Sequence, residues 1–262
     1  MDTYSLHRGR APLLVSLPHD SSAIPDGIAT RMTEAGRRSP DTDWHVGRLY
    51  ECARELGASV LRPRWSRYVV DLNRPRDGHA LYPGKNETGL VPTVTFAGEA
   101  IYSEGETPSE DEVGMRAEYF WQPYHAALAA ELDRLRARHG HVVLWDGHSI
   151  RSQVPMFFEG TLPDLNLGSA DGASCSAGLQ RRVAKLLEAQ TGYSHVVNGR
   201  FKGGYITRRY GQPDSGVDAL QLELAQATYM DEDSFEFRPD RAVPVQALIQ
   251  SLLATCLDLA TA

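Results

Sequence analysis

Short apolar runs alternate with amphipathic segments along most of the chain. Continuous apolar runs bounded by polar or turn-forming residues predict strands, which fall at 13–17, 59–62, 68–72, 141–145 and 219–224. Apolar positions at helical spacing predict helices, which fall from about 43, at 118–138, around 179–187 and at 245–257. Strands that alternate with helices predict an α/β protein whose mostly parallel sheet is covered on both faces.

Two stretches, 73–114 and 151–172, lack this periodicity, and a third stretch at 196–210 is glycine-rich and basic. The first of them contains one short possible strand at 93–96. A loop of that length without secondary structure is more often functional than incidental. We therefore expect 73–114 to cover a pocket.

The composition is that of a folded, acidic protein. The 262 residues carry a formal net charge of −7 and are 42% hydrophobic, which suits a single domain over 1–262 and excludes global disorder. The acidic balance argues against nucleic acid or an anionic membrane as the main partner. No apolar run approaches the roughly 20 residues of a membrane span, and the first residues lack the apolar core of a secretory signal. Three cysteines are an odd number, so we expect reduced thiols and a cytoplasmic protein.

Two histidines stand at the ends of predicted strands. His19 follows the first strand and His148 follows the strand at 141–145, and ligands gather beyond the carboxyl ends of strands in such sheets. Imidazole nitrogen suits zinc, whose catalytic sites keep three protein ligands and one open position. A carboxylate from Asp41 or Asp43 would complete the set, while the other aspartate would cap the helix that follows.

Two further carboxylates lie near the same predicted edge of the sheet. Alternation along the strand at 219–224 puts Gln221 and Glu223 on one face. One alternative is that this face is solvated. The other is that Glu223 lies near a metal and acts as a general base towards bound water. Asp146 precedes His148 by two residues, so it either forms a turn or orients the histidine.

Basic residues cluster around this edge in an otherwise acidic chain. They are Arg74, Arg151, Arg208 and Arg209. Arginine binds a carboxylate through two parallel hydrogen bonds, so the cluster predicts a small acidic substrate. The alternative is that some of these arginines are ordinary solvated side chains. Glycines near Arg208 and Arg209 would let the backbone approach a ligand closely.

Five short motifs resemble, in their order and spacing, those of the N-formylglutamate amidohydrolase family. They are Pro18-His19-Asp20-Ser21, Asp41-Thr42-Asp43-Trp44, Val70-Asp71-Leu72-Asn73-Arg74-Pro75, Asp146-Gly147-His148-Ser149 and Leu222-Glu223-Leu224. The resemblance runs from about residue 12 to residue 231. It implies a phosphorylase/hydrolase-like α/β fold with a mixed sheet between helices, related to zinc carboxypeptidases and aspartoacylase.

The resemblance also implies a role for particular residues. It assigns a divalent metal, zinc or another ion, to His19, Asp43 and His148. It assigns the general base to Glu223 and substrate binding to Asn73 and Arg74.

One departure from the wider carboxypeptidase pattern bears on the ligand set. That pattern has His-x-x-Glu, whereas Ser22 stands three residues after His19 in this sequence. The second ligand must then come from farther along the chain, which favours Asp43 and leaves Asp41 open.

The activity that the resemblance implies is hydrolysis of N-formyl-L-glutamate to formate and L-glutamate in histidine catabolism. One alternative is a related zinc amidase or carboxypeptidase that acts on another N-acyl amino acid or on a peptide. The other is a catalytically silent protein that binds acidic ligands. Because the formyl group carries only hydrogen on its carbonyl carbon, we expect a small acyl pocket.

Overall fold

Seven strands form one sheet in the computed structural model, which describes residues 2–81, 84 and 86–260. The strands are, in chain order, β1 (Tyr4–His7), β2 (Leu13–Ser16), β3 (Ser59–Pro63), β4 (Val142–Ile150), β5 (Leu165–Gly168), β6 (His195–Val197) and β7 (Val217–Ala225). Their order across the sheet is β1-β3-β2-β4-β7-β5-β6. Strands β3, β2, β4 and β7 run parallel, whereas β1 is antiparallel to β3 and β5 is antiparallel to β7. The sheet is therefore mixed, as the family resemblance implies, around a parallel centre.

Helices cover both faces of the sheet. They are α1 (Asp26–Ala29), α2 (Glu34–Arg38), α3 (Val46–Leu49), α4 (Cys52–Glu55), α5 (Glu110–Arg116), α6 (Gln122–His139), α7 (Ala177–Ala189), α8 (Tyr205–Tyr210) and α9 (Pro239–Ala260). A π-helical turn, Ala117–Trp121, joins α5 to α6. Within the part of the chain that the structure describes, none of these helices combines the length and the apolar character of a membrane span.

Alternation along β4 separates two buried clusters. Val143 and Trp145 belong to one cluster with residues of α3, α4, α7 and α9, whereas Leu144 belongs to the other with residues of α6 and α8. The pleat sends successive side chains of a strand to opposite faces. On the α6 face, the side chains that follow Leu144 towards the carboxyl end are Asp146 and His148. Asp146 and His148 thus lie on the same side of the sheet as α6, at its carboxyl edge.

Several predicted elements are confirmed. The runs at 13–17, 59–62 and 219–224 form β2, β3 and β7. The helical patterns around 179–187 and at 245–257 lie within α7 and α9.

Other predicted elements differ in extent. The strand predicted at 141–145 continues to Ile150, because β7 pairs with it over its whole length. His148 therefore lies within the strand rather than after it. The helix predicted from residue 43 is two short helices, α3 and α4, and the one predicted at 118–138 starts within the π-helical turn.

The strand predicted at 68–72 is wrong. These residues form buried turns, and the backbone N–H of Asp71 donates to Leu90 O at 2.7 Å rather than to a neighbouring strand. The segment 93–96 contains only an isolated bridge, to Ala100. A short apolar run indicates burial, but it does not by itself distinguish a strand from a buried loop.

Short elements are the ones that the sequence patterns miss. Each spans between three and seven residues, and they are β1, β5, β6, α1, α2, α5 and α8. Fewer than about two helical turns, or fewer than five strand residues, leave too few positions for a period to emerge. Strand β5 lies within the stretch 151–172, and β6 and α8 fall largely within 196–210.

Candidate metal centre and active site

Three candidate metal ligands come from separate places in the chain and meet at the carboxyl edge of the sheet. His19 lies just beyond β2, Asp43 precedes α3, and His148 lies near the end of β4. All three side chains are buried, and one ligand atom of each lies within 4.8 Å of the others. The parallel pairing of β2 with β4 brings the two histidines to the same edge.

The carboxylate of Asp43 lies beside both imidazoles. Its Oδ2 atom is 3.0 Å from His148 Nδ1 and 3.7 Å from His19 Nδ1. The backbone N–H of Ser149 donates to the same oxygen at 3.1 Å. Burial raises the pKa of Asp43, but the two histidines outweigh burial and hold this pKa well below its ordinary value.

The second ring nitrogen of each histidine meets a buried polar side chain. His19 Nε2 is 2.8 Å from Asp71 Oδ1, and His148 Nε2 is 3.3 Å from Asp146 Oδ1 and 3.0 Å from Asn73 Nδ2. A histidine that ligates a metal through one nitrogen usually donates its other N–H to a carboxylate or a carbonyl group. Two imidazoles and one carboxylate, oriented in this way, are a donor set that fits zinc or a similar divalent cation.

The electrostatics of this group favour added positive charge. Asp43 lies beside both imidazoles, Asp71 beside His19 and Asp146 beside His148. Arg67, hydrogen-bonded to Asp71, offsets only part of their negative charge. Burial lowers the pKa of His148, but Asp146 and Asp43 outweigh burial and hold this pKa well above its ordinary value. Surroundings that stabilise a proton on imidazole stabilise a divalent cation by the same attraction.

Asp41 faces a different set of groups. Its Oδ2 atom accepts hydrogen bonds from Tyr68 Oη at 2.5 Å and from the backbone N–H of Phe96 at 2.9 Å. Neither aspartate side chain caps α3, since the N-cap residue is His45 in the left-handed region at φ 63°. The capping role expected of one aspartate is therefore wrong, and the geometry favours Asp43 over Asp41 as the ligand.

Glu223 is the register partner of His148 in the pairing of β7 with β4, so the two side chains share a face. That face is not solvated, because Gln221 is 3% exposed and Glu223 is 7% exposed. Burial raises the pKa of Glu223 to about 8, although the charge of His148 opposes the shift. A carboxyl group with a pKa near neutrality can both accept and donate a proton at neutral pH.

A pocket opens beside these groups. It has aromatic walls from Phe96, Phe157 and Phe201. Its polar lining comprises His19, Asp43, Arg67, Asn73, Arg74, Asn86, Glu87, His148, Ser149, Arg200, Gln221 and Glu223. The stretch 73–114 supplies part of this lining, in agreement with the expectation that it covers a pocket.

The structure brings only some of the predicted substrate-binding residues to this pocket. Asn73 and Arg74 line it, whereas Arg151 lines a second cavity. Arg208 and Arg209 are exposed on α8 and are not part of the described lining. The prediction that these last three arginines bind the substrate therefore gains no support from the geometry.

Two arginines that the sequence analysis did not select line the pocket. Arg67 donates to Asp71 Oδ2 at 2.7 Å and lies 3.9 Å from Asp43 Oδ1. Arg200 comes from the basic stretch 196–210, where composition alone does not rank one arginine above another. Arg67 precedes Asp71 by four residues, and this pairing of opposite charges is the signal that could have found it.

Taken together, the fold and the site define an α/β protein with a buried His-Asp-His group and an arginine-lined pocket at the carboxyl edge of its sheet. The chain belongs to the N-formylglutamate amidohydrolase family, whose sequence profile matches residues 11–230. The resemblance inferred from the motifs is thereby confirmed.

Two bacterial relatives are similar along nearly the whole chain. The N-formylglutamate deformylase of Pseudomonas putida is 50% identical over 254 residues, which cover 97% of this chain and 95% of the relative. That of Pseudomonas aeruginosa is 50% identical over 257 residues, which cover 98% of this chain and 96% of the relative.

Two solved structures share the fold. The crystal structure of an N-formylglutamate amidohydrolase from Ralstonia eutropha JMP134 matches with a TM-score of 0.83 and 25% identity, over 99% of this chain and 97% of that one. A gene product of Agrobacterium tumefaciens matches with a TM-score of 0.70 and 18% identity, over 99% of this chain and 95% of that one, which shows the fold alone.

Proposed function

We propose that this protein hydrolyses N-formyl-L-glutamate to formate and L-glutamate with the help of a divalent metal ion. The observation that carries the proposal is the buried His19, Asp43 and His148 group beside Glu223, in a pocket that arginines line. The two relatives named N-formylglutamate deformylase support the choice of substrate.

In this proposal His19, Asp43 and His148 hold the metal, and zinc suits their donor atoms. A bound divalent cation polarises a carbonyl group and makes water a stronger acid. Asp71 orients the His19 ring through its Nε2, while Asn73 contacts Nε2 of His148 and Asp146 lies 3.3 Å from the same nitrogen.

Glu223 is the proposed general base. It accepts a proton from the attacking water and later gives this proton to the leaving amine. Burial keeps the pKa of its carboxyl group near 8 in the protein alone, and the charge of a nearby divalent cation would favour the ionised form that accepts a proton. Gln221, whose Nε2 lies 3.3 Å from Glu223 Oε2, helps to hold that side chain.

Arginine and asparagine side chains take the remaining roles. Arg67 is buried beside the candidate ligands, so its guanidinium can stabilise negative charge that develops on the formyl oxygen. Asn73 and Arg74 are proposed to bind the substrate near its reacting end, since Asn73 contacts His148. Arg74 is also a candidate for a substrate carboxylate.

A place in histidine degradation and a cytoplasmic location are part of the proposal. The three cysteines are free thiols in the structure, which suits a reducing compartment.

The decisive experiment measures formate release from N-formyl-L-glutamate before and after a chelator, with metal added back. We expect turnover that the chelator abolishes and the metal restores. Turnover that withstands removal of all bound metal would contradict the metal-dependent mechanism. Binding of glutamate derivatives without turnover would indicate the silent binding protein, and hydrolysis of peptides but not of formylglutamate would indicate the peptidase.

A further inference from the structure

Arginines reach the pocket from three separate loops. Arg67 lies in the turns after β3, Arg74 lies at the start of 73–114, and Arg200 lies between β6 and α8. Arg67 stands near the reacting end, since it is 3.9 Å from Asp43 Oδ1. The Arg74 side chain is turned to Thr88, where its Nε–H donates to Thr88 O at 3.0 Å. Arg200 lies against Phe157 and Phe201.

The backbone on both sides of Arg200 is fixed to the end of β5. The N–H of Asn198 donates to Leu167 O at 2.7 Å, and the Asn198 side chain accepts from the N–H of Ser169 at 2.9 Å. On the other side, Lys202 O accepts a hydrogen bond from the N–H of Ala170 at 2.5 Å. The segment that carries Arg200 is therefore held in place at two points, although it has no regular secondary structure.

The side chain of Arg200 is positioned by the opposite loop. Its Nε–H donates to Phe157 O at 2.7 Å, and its guanidinium carbon lies 5.7 Å from the centre of the Phe157 ring and 5.2 Å from that of Phe201. Aromatic faces attract a cation and keep water away from it. An arginine held in this way loses less side-chain entropy when it binds an anion, and it binds a carboxylate in a defined orientation.

We propose that Arg200 binds the side-chain carboxylate of the substrate and thereby selects acidic formyl amino acids over neutral ones. This inference rests on the proposed function, which places the formyl group beside His148 and Glu223. The substrate carries two carboxylates, and burying either without a partner is costly. Arg200 supplies a second guanidinium beside Phe157 and Phe201, in addition to Arg67 at the reacting end.

An acidic residue in the same lining sharpens the choice of test. Glu87 also lines the pocket, and its carboxylate acts on the charge of a substrate as Arg200 does. The two substrates compared should therefore differ in the charge of the side chain and have nearly the same shape. N-formylglutamine has nearly the size of N-formylglutamate but carries a neutral amide. Replacing Arg200 by methionine keeps much of the side-chain length and removes the charge.

The experiment compares kcat/KM for N-formylglutamate and N-formylglutamine in the parent protein and in Arg200→Met. We expect the preference for formylglutamate to fall at least about tenfold, because a charge-assisted contact is lost for that substrate only. Arg200→Lys should restore part of the preference. Arg209→Met is the matched control, since this arginine is exposed on α8 and does not line the pocket, and it should keep the parent ratio within about twofold.

Two outcomes would overturn the proposal. One is an unchanged preference ratio in Arg200→Met, and the other is an equal loss for both substrates, which would indicate a structural role. Metal content and melting temperature, measured alongside, show whether the variant folds. Calorimetric binding of L-glutamate and L-glutamine to both proteins needs no turnover, so it tests Arg200 even if formate release, and with it the proposed function, fails.

Discussion

The two halves of the pocket are built differently. One half stands on neighbouring strands, where His148 of β4 and Glu223 of β7 are register partners in the parallel ladder. The other half stands on loops, from which Arg67, Arg74 and Arg200 reach the pocket without a ladder to position them. Strand neighbours have a fixed separation and a fixed face, whereas each loop residue needs its own set of contacts.

This difference matches the demands of the two proposed tasks. Proton transfer depends on geometry within a few tenths of an ångström, which rigid elements supply better than loops. Recognition of a carboxylate tolerates more variation, because a guanidinium offers five donors. We therefore infer that the strand half carries the proton transfer. Within the loop half, Arg67 serves the reacting end beside Asp43, and the remaining arginines carry the choice of substrate.

The loop half is nevertheless braced from the neighbouring helix. Trp121, at the end of the π-helical turn, donates its indole N–H to Arg74 O at 2.9 Å. His125 Nε2 lies 2.9 Å from Leu72 O, and burial lowers the pKa of this histidine to about 3, so a neutral ring donates its N–H to that carbonyl. These two contacts flank Asn73, which explains how a loop residue holds a fixed position against His148.

The largest expected effect comes from the candidate ligands. We expect His19→Ala, His148→Ala and Asp43→Asn to lose bound metal and turnover together, because each removes one of three protein ligands. Metal content per chain measured by plasma emission, with circular dichroism to show folding, checks this.

Asp41→Asn is the matched control for Asp43→Asn. Asp41 accepts its hydrogen bonds from Tyr68 and Phe96 rather than facing the histidines, so this variant should keep its metal. Loss of metal in Asp41→Asn with full occupancy in Asp43→Asn would reverse the ligand assignment.

The next largest effect concerns the general base. Glu223→Gln is nearly isosteric but cannot accept a proton, so kcat should fall about 10²- to 10⁴-fold while metal content stays at the parent value. Steady-state formate release and metal analysis on the same sample check both parts. Near-normal turnover would show that another residue is the general base. It would also show that the position of Glu223 on β7 does not by itself give it a catalytic role. Gln221→Leu, a change at the neighbouring position of the same face, should cost far less.

The sequence predicts the strand half far better than the loop half, for a physical reason. Alternation along 219–224 places Gln221 and Glu223 on one face whatever the rest of the fold does. Local periodicity is therefore enough to group these two side chains. It is not enough for Asp146 and His148, because the predicted strand ends at residue 145; they share a face, with atoms 3.3 Å apart, since β4 continues to Ile150.

The loop arginines depend on contacts between residues that are far apart in sequence. Arg200 is held by Phe157, which precedes it by 43 positions, and Arg74 by Thr88. Composition shows that 196–210 is basic, but nothing local indicates that Arg200 faces the pocket while Arg208 and Arg209 are exposed on α8. The order of the arginines in sequence thus carries no information on which of them meets a ligand.

The smallest expected effect tests whether a loop arginine matters only when it faces the pocket. Arg151 follows β4 directly, yet it donates to Glu232 O at 2.5 Å and to Asp233 Oδ1 at 2.8 Å, and its side chain is 35% exposed. An ion pair this exposed contributes about 1 kcal/mol or less, so Arg151→Met should change stability by no more than that, and kcat/KM for formylglutamate by no more than about twofold. Thermal unfolding and the formylglutamate to formylglutamine ratio, measured beside Arg200→Met, check this. A selective loss for formylglutamate in Arg151→Met would mean that the loop after β4 turns towards the pocket when substrate binds.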